Sequence, residues 1–258
     1  MDLRLNGRAY LVTGASSGVG LATARLLLDE GCAVAACARD RARLADALGP
    51  DTGRLLTGAA DVRDPEAVRR LTERAAGHFG RLDGVVNNAG RSLMAPWHET
   101  SRDQWRAELD LKLFSVLNTV EAALPWLCAS DAPSVVNVNA ILARQPEPAL
   151  AATSAARAAL LNLTRTLATD LGPRGIRVNS VSLGLVDTGQ WRRRHREDGG
   201  GHDYATWSAG LAADRGIPMG RLGTAEEVAF PIVTLLSPRS SYVTGATLDV
   251  GGGVSRYA

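Results

Sequence analysis

The sequence predicts an α/β fold, a doubly wound parallel sheet flanked by helices, and two observations carry that expectation. Short apolar runs alternate along the chain with longer segments of helical period, and the first apolar run opens onto a glycine-rich turn. Such alternation signals repeated strand–helix–strand units and a parallel sheet. A first strand is placed near residues 9–13 and leads through the glycine turn into a helix near 18–30. A second strand near 32–38 ends at Arg39 and Asp40, and Asp40 suits the cap of a helix near 40–48 that stops before Pro50. A third strand near 54–60 ends at Asp61-Val62 and precedes a helix near 64–79; a fourth near 83–88 ends in Asn87-Asn88-Ala89-Gly90. One long helix is expected near 102–128, then a strand near 133–139 that follows Pro133, and a helix near 149–171 with Pro173 at its exit. A sixth strand near 175–182, a helix near 224–237 ended by Pro238, and a seventh strand near 246–250 complete the chain. The stretch 189–203, GQWRRRHREDGGGHD, is rich in charge and glycine and reads as a mobile surface insertion.

Composition limits the function classes. The chain has 258 residues, 45% of them hydrophobic and 22% charged, enough for one substantial core, so residues 1–258 are expected to form a single domain. A formal charge of +2 is too mild to argue for nucleic acid or a membrane surface. Cys32, Cys37 and Cys128 lack CxxC spacing, and no secretory leader precedes them. Reduced thiols in a cytoplasmic protein are expected, with no disulfide framework. No stretch approaches the roughly 18 apolar residues of a membrane span. His78, His98, His195 and His202 have no metal-ligand spacing and read as surface residues, with His98 an outside candidate for a pocket.

The motif that carries most chemistry is Thr13-Gly14-Ala15-Ser16-Ser17-Gly18-Val19-Gly20, between the first strand and the first helix. Glycines there let the backbone turn tightly and approach a pyrophosphate, whose charge is met by free amides at the helix N-terminus. Asp61-Val62 and Asn87-Asn88-Ala89-Gly90 end strands at the same carboxyl edge of the sheet, where ligands of open α/β folds sit.

Together, TGASSGVG, ADV and NNAG resemble the short-chain dehydrogenase/reductase family, and the likeness runs through LDVGGG at 248–253. The resemblance implies a single Rossmann-like domain with a seven-stranded parallel sheet, bound NAD(P)(H), hydride transfer to or from a carbonyl or alcohol, and a homotetramer or homodimer. It implies Asp61 at the adenine, Asn88 to Gly90 along the adenosine ribose and Thr188 near the nicotinamide amide or the phosphates. Leu183 stands where the family has the proline of a Pro-Gly turn. The cofactor residues expected are Gly14, Ser16, Ser17, Gly18, Val19, Gly20, Arg39, Asp61, Val62, Asn88, Ala89, Gly90, Arg157, Val186 and Thr188. Arg39, beyond the adenosine ribose, favours NADP(H) over NAD(H), because an arginine donates to a 2′-phosphate whereas a carboxylate accepts from ribose hydroxyls.

The family's catalytic Asn, Ser, Tyr and Lys fall on Lys112, Ala140, Thr153 and Arg157, so all four are replaced. Asn139 is the nearest polar group to Ala140, and Lys112, Asn139, Thr153 and Arg157 are the candidate catalytic residues. A phenol, with a pKa of about 10, is tunable to exchange a proton with an alkoxide, and a threonine hydroxyl is not. Arg157 lies one helical turn from Thr153 and suits the nicotinamide ribose hydroxyls, though it gives up no proton. An ammonium at Lys112, partly desolvated beside Arg157, is expected to have its pKa drawn down toward the working range of a general acid. The competing account makes Lys112 and Arg157 structural donors in a pocket that has lost its chemistry.

The run Trp191-Arg192-Arg193-Arg194-His195-Arg196 lies where the family has its substrate lid, here residues 189–215. Its arginines suit an anionic or carrier-bound substrate, or else pair with Glu197 and Asp198 on a solvated face. Trp97, Trp191 and Trp207 serve either as an apolar pocket wall or as core and subunit contacts. Two functions stay open: an NADP(H)-dependent reductase of C=O, C=N or activated C=C with a rearranged proton donor, and a non-redox relative. The latter is a lyase, dehydratase or isomerase, or a silent nucleotide-binding subunit.

Overall fold

In the computed structural model, which describes residues 2–198 and 201–257, seven parallel strands form one sheet in the order β3-β2-β1-β4-β5-β6-β7. They are β1 (Ala9–Thr13), β2 (Ala33–Ala38), β3 (Leu55–Ala59), β4 (Gly84–Asn87), β5 (Ser134–Ala140), β6 (Arg177–Leu183) and β7 (Thr247–Val250). All seven start and stop within two residues of the expected positions. Strand order reverses between β1 and β4, and at such a point the carboxyl ends of the strands diverge and open a crevice.

Helices cover both faces. On one, α1 (Gly18–Asp29) and α9 (Ala225–Leu236) bury Leu27, Val228, Ile232 and Leu236 against Tyr10, Val12, Val34 and Val136. On the other, α3 (Pro65–Phe79), α5 (Ser115–Ala129) and α6 (Ala151–Leu171) cover Leu11, Val85, Val135 and Val178. Leu11 and its neighbours Tyr10 and Val12 thus serve opposite cores, as the alternation of side chains along a strand requires. Helix entrances use ordinary caps. Asp40 accepts from Arg43 N to start α2 (Arg41–Leu48), and Asp64 with Pro65 starts α3. Ser101 with Gln104 forms a capping box on α4 (Arg102–Leu109), and Thr224 with Glu227 forms another on α9.

Two expectations need correction. The single helix expected over 102–128 is interrupted by a π turn at Asp110–Phe114, between α4 and α5. Such bulges re-aim side chains, and this one contains Lys112. Most of the stretch 189–203, read as an irregular insertion, is helical, as α7 (Gly189–Asp198), with Gly199 and Gly200 outside the described residues, and a second helix, α8 (Tyr204–Asp214), follows it. Its aromatic residues supply a core of its own. Trp191, His195, Tyr204 and Trp207 pack with ring centroids 5.4 to 6.4 Å apart, and Asp203 caps α8 by accepting from Thr206 N. Arg192 and Tyr204 both donate to Asp187, which ties the helical pair to the end of β6.

Among the described residues, no helix is long and apolar enough to cross a membrane. Gly20 holds α1 against the crevice, because a Cβ there would overlap the Gly14 carbonyl oxygen and Asn88 Nδ2. Gly20→Ala is expected to cost roughly 1–3 kcal/mol in urea unfolding through overpacking. Gly189→Ala, with nothing within 4 Å of its added carbon, is the control and is expected to stay within about 0.5 kcal/mol of the parent.

Candidate active site

A cleft of about 650 Å³ follows the carboxyl edge of the sheet from Arg39 to Arg215. Its nucleotide end is built by the glycine turn. Gly14 (φ 67°) and Gly18 (φ 56°) adopt left-handed backbone conformations that a side chain would strain. Ser17, the first-turn cap of α1, makes no side-chain hydrogen bond, and no acidic side chain lies in that turn. The helix therefore presents amides and positive dipole to an anion without competition. Thr13 Oγ1 accepts from Asn88 N and Ala89 N, both at 3.0 Å, and Asn88 Nδ2 donates to the Thr13 and Gly14 carbonyls at 3.0 and 3.2 Å. These bonds fix the Asn-Asn-Ala-Gly turn against the glycine turn. Thr188 lies over Gly18, and its loop is pinned by Asp187 N donating to Gly223 O at 2.8 Å and Gly223 N to Leu185 O at 3.0 Å.

Fourteen of the fifteen expected cofactor residues line this cleft; the exception is Gly20, which lies beneath the glycine turn as a packing position. The adenosine end holds three arginines, Arg39, Arg43 and Arg63, of which only Arg39 was expected. Arg63 holds the Asp61 carboxylate at 2.6 Å, and that bond keeps the carboxyl down at about 2. Arg39 is exposed and makes no ion pair among the described residues. Toward the other end of the cleft, in the second turn of α6, Arg157 Nη1 donates to Val138 O at 2.6 Å, while its buried Nε–H finds no acceptor among the described residues. Burial pushes this guanidinium down to about 10. A glycine cradle, an uncapped helix start, free arginines at one end and an orphaned donor at the other fit a dinucleotide carrying several anionic groups.

The catalytic candidates do not sit as expected. Lys112 is 2% exposed, and its Nζ donates to Glu108 Oε2 at 2.6 Å. Thr153 Oγ1 donates to the same Oε2 and accepts from Leu93 N at 3.0 Å. Glu108 and Arg157 form part of the cleft wall, with Lys112 and Thr153 behind them. Lys112 was expected to face the substrate; it is buried behind the wall and donates to Glu108 instead. Thr153 was expected to offer a hydrogen bond outward, but its hydroxyl is already committed on both sides. Asn139 is likewise turned inward, its Nδ2 donating to Arg157 O at 3.1 Å and its Oδ1 accepting from Ala140 N at 2.9 Å. Ala140 is the residue that reaches the wall there. Burial, then the nearby Arg157, pushes the Lys112 ammonium down to about 8, against the opposing pull of Glu108.

The substrate end is lined by α7 and the segment before α6. Arg194 stacks on Trp191 at 4.6 Å, and Arg215 pairs with Glu147 at 2.7 Å. Glu147 N donates to Ser154 Oγ at 3.4 Å, which joins this end to the turn carrying Thr153. Burial and the neighbouring Arg215 lower the affinity of Arg194 for its proton. His98 is outside the cleft, and Trp97 is 72% exposed. The sequence reading missed Glu108, Arg43, Arg63, Arg91 and the Glu147–Arg215 pair. For Glu108 the available signal was its position four residues before Lys112 on a helix.

Residues 14–255 match the family model described as enoyl-(acyl carrier protein) reductase. A cis-4-hydroxycyclohexanecarboxylate dehydrogenase of Sinomonas cyclohexanicum is 38% identical over 255 residues, covering 95% of this chain and 96% of its own. A 3-oxoacyl-(acyl-carrier-protein) reductase of Thermotoga maritima is 32% identical over 257 residues, covering 98% and 99%. Among solved structures, a short chain oxidoreductase of Pseudomonas aeruginosa PAO1 containing an atypical catalytic center is 45% identical. Its apo form has a TM-score of 0.94, covering 98% of this chain and 99% of its own, and its NADPH-bound form a TM-score of 0.91, covering 97% and 98%. The chain belongs to the short-chain dehydrogenase/reductase family.

The Lys112 environment has a measurable consequence. Its value in the folded protein lies near 8, below the ordinary 10.5, so between these limits the unfolded chain binds more protons than the folded one. Stability then rises with pH across that window. Relative to Lys112→Met, which lacks the titration, the wild type is expected to gain melting temperature as pH goes from 8 to 10. Parallel curves for the two proteins would overturn the buried-ammonium account.

Proposed function

We propose that the protein is an NADP(H)-dependent oxidoreductase that reduces a C=O, C=N or activated C=C bond of a small anionic substrate. The observation that carries the cofactor choice is the charge at the adenosine end of the cleft. Arg39, Arg43 and Arg63 gather there, and the carboxylate of Asp61 is occupied by Arg63. A 2′-phosphate would find cationic donors, whereas the 2′- and 3′-hydroxyls of NAD(H) would lack the free carboxylate that recognises them. When bound, the cofactor supplies the hydride. Arg157 holds the ribose beside it with donors that are already desolvated. The relative from Pseudomonas aeruginosa binds NADPH, which supports the reading.

The anionic character of the substrate rests on Arg193, Arg194 and Arg215 at the other end of the cleft. Arg194 has no ion pair among the described residues, and Trp191 holds its guanidinium in place. A partly desolvated cation with no ion pair among the described residues is a strong site for a carboxylate. The relative from Sinomonas cyclohexanicum is named for a carboxylate substrate, in keeping with this. The protein is proposed to work in the cytoplasm as a homodimer or homotetramer. Exposed Phe114 after α4, and Phe230 and Leu248 on α9 and β7, supply apolar surface for self-association.

Nucleotide titration tests the cofactor. NADPH is expected to bind about one to two decades more tightly than NADH, as a charge-assisted contact worth roughly 1.5–3 kcal/mol implies. Arg39→Ala should remove most of that margin, and equal affinities in the wild type would refute it. NADPH oxidation is then followed over paired ketones, imines and enones with and without a carboxylate. Arg194→Met is expected to raise KM for the carboxylate-bearing members alone. Tight NADPH binding with no oxidation by any member would instead favour a non-redox relative.

A further inference from the structure

We propose that Glu108 gives up the proton in the reduction and that Lys112 is the store from which it is refilled, the two together replacing the missing phenol. The inference rests on the oxidoreductase reading above. Three ionisable side chains meet at the floor of the cleft: Glu108 on α4, Lys112 in the π turn and Arg157 on α6. Arg157 faces the cleft but releases no proton near neutral pH. Lys112 holds a mobile proton but lies behind the wall. Thr153 is fixed between Glu108 and Leu93.

Glu108 is what remains, and its geometry suits the task. Lys112 and Thr153 both donate to Oε2, and Oε1 accepts no hydrogen bond among the described residues. The other carboxylates of the cleft are engaged elsewhere, Asp61 by Arg63 and Glu147 by Arg215. An ammonium and a carboxylate in direct contact and out of water are coupled, and the proton between them belongs to the pair rather than to either residue. Carboxyl Oε1 can therefore carry that proton to the substrate while Oε2 stays on Lys112.

The step balances. As the hydride reaches the carbonyl carbon, the C=O π pair takes the proton from Glu108, an O–H bond forms and the carboxylate is left. Lys112, neutral while Glu108 carried the shared proton, takes one from solvent, and the pair is restored. The net change is carbonyl plus NADPH plus H⁺ giving alcohol plus NADP⁺. Charged groups facing the pair are Arg157 from α6 and Arg91 from the loop after β4; both discourage a proton on Lys112, while Glu108 favours it.

The test uses carboxylate-bearing ketones with the intact protein. In wild type, kcat for reduction is expected to fall as pH rises above about 8, where the Lys112 proton is lost. Glu108→Gln should lower kcat by roughly two to four decades with the Kd for NADPH within about twofold of wild type. Lys112→Met should move the alkaline limb to lower pH, because the group that stores the proton is gone. A merely structural lysine would leave the limb in place, and that result, or an active Glu108→Gln, overturns the assignment. Independently of turnover, ¹⁵N NMR of Lys112 Nζ in the nucleotide-free protein should titrate at lower pH in Glu108→Gln than in wild type; an unmoved titration also overturns it. A wild type that binds NADPH and oxidises it with no ketone fails the oxidoreductase reading itself. An active wild type whose Glu108→Gln is equally active fails only the proton assignment.

Discussion

One buried carboxylate organises the floor of the cleft. Glu108 is 4% exposed, and an unpaired charge at that depth costs several kcal/mol, so its environment must supply a counter-charge and hydrogen bonds. Lys112 supplies the first and Thr153 the second, both on Oε2. Three of the four departures from the family pattern, Lys112, Thr153 and Arg157, are therefore not independent. Lys112 suits this site because Glu108 is there, and Thr153 reaches Oε2 from α6. Burial first, and then the positive charge that Arg157 brings beside the pair, weaken the hold of Lys112 on its proton.

The scaffold positions this cluster through polar bonds that cross from strand to helix. Thr119 on α5 donates to Asn87 at 2.6 Å, Asn87 to Asn137 at 2.9 Å, and Asn137 to Thr164 on α6 at 3.0 Å. Each of these groups is buried, and a chain in which each is satisfied fixes β4, β5 and both helices in register. The π turn lies where α4 joins α5, directly against α6. Lys112 lies in that turn, four residues after Glu108 and in contact with it. At the opposite end, Thr13 and Asn88 join the glycine turn to β4, so the nucleotide end and the catalytic floor are parts of one rigid edge.

The fold was legible because strands buried on both faces read as continuous apolar runs, such as AYLVT and AVAACA, and because Asp64-Pro65 and the prolines mark helix ends. Helices α7 and α8 were not, since a glycine-rich and charged composition outweighed the spacing of Trp191 with His195 and of Tyr204 with Trp207 that builds their contact. Much of the candidate site was also readable. The glycine turn, Asp61, the Asn88–Gly90 turn and Arg157 all came to one cleft. What sequence position did not give was side-chain direction. Asn139 and Thr153 carry polar groups at the expected places and point inward, and Gly20 supports the turn from below. Glu108 was passed over for a related reason. A glutamate four residues before a lysine is ordinarily an exposed pair worth only a few tenths of a kcal/mol, and nothing in the local sequence distinguishes the buried case.

That distinction changes the chemistry available. An exposed Glu–Lys pair titrates as two ordinary groups, several pH units apart, with nothing to exchange near neutrality. In the cleft, burial and Arg157 bring the Lys112 ammonium down to about 8, within reach of physiological pH. A tyrosine beside a lysine reaches the same range from the other direction, the cation drawing a phenol down from about 10. The two arrangements are different solutions to one requirement, a proton held loosely enough to leave and firmly enough to be present. In this protein the loose proton belongs to a pair and the fixed charge to Arg157, so the group that anchors the site and the group that titrates are separate residues.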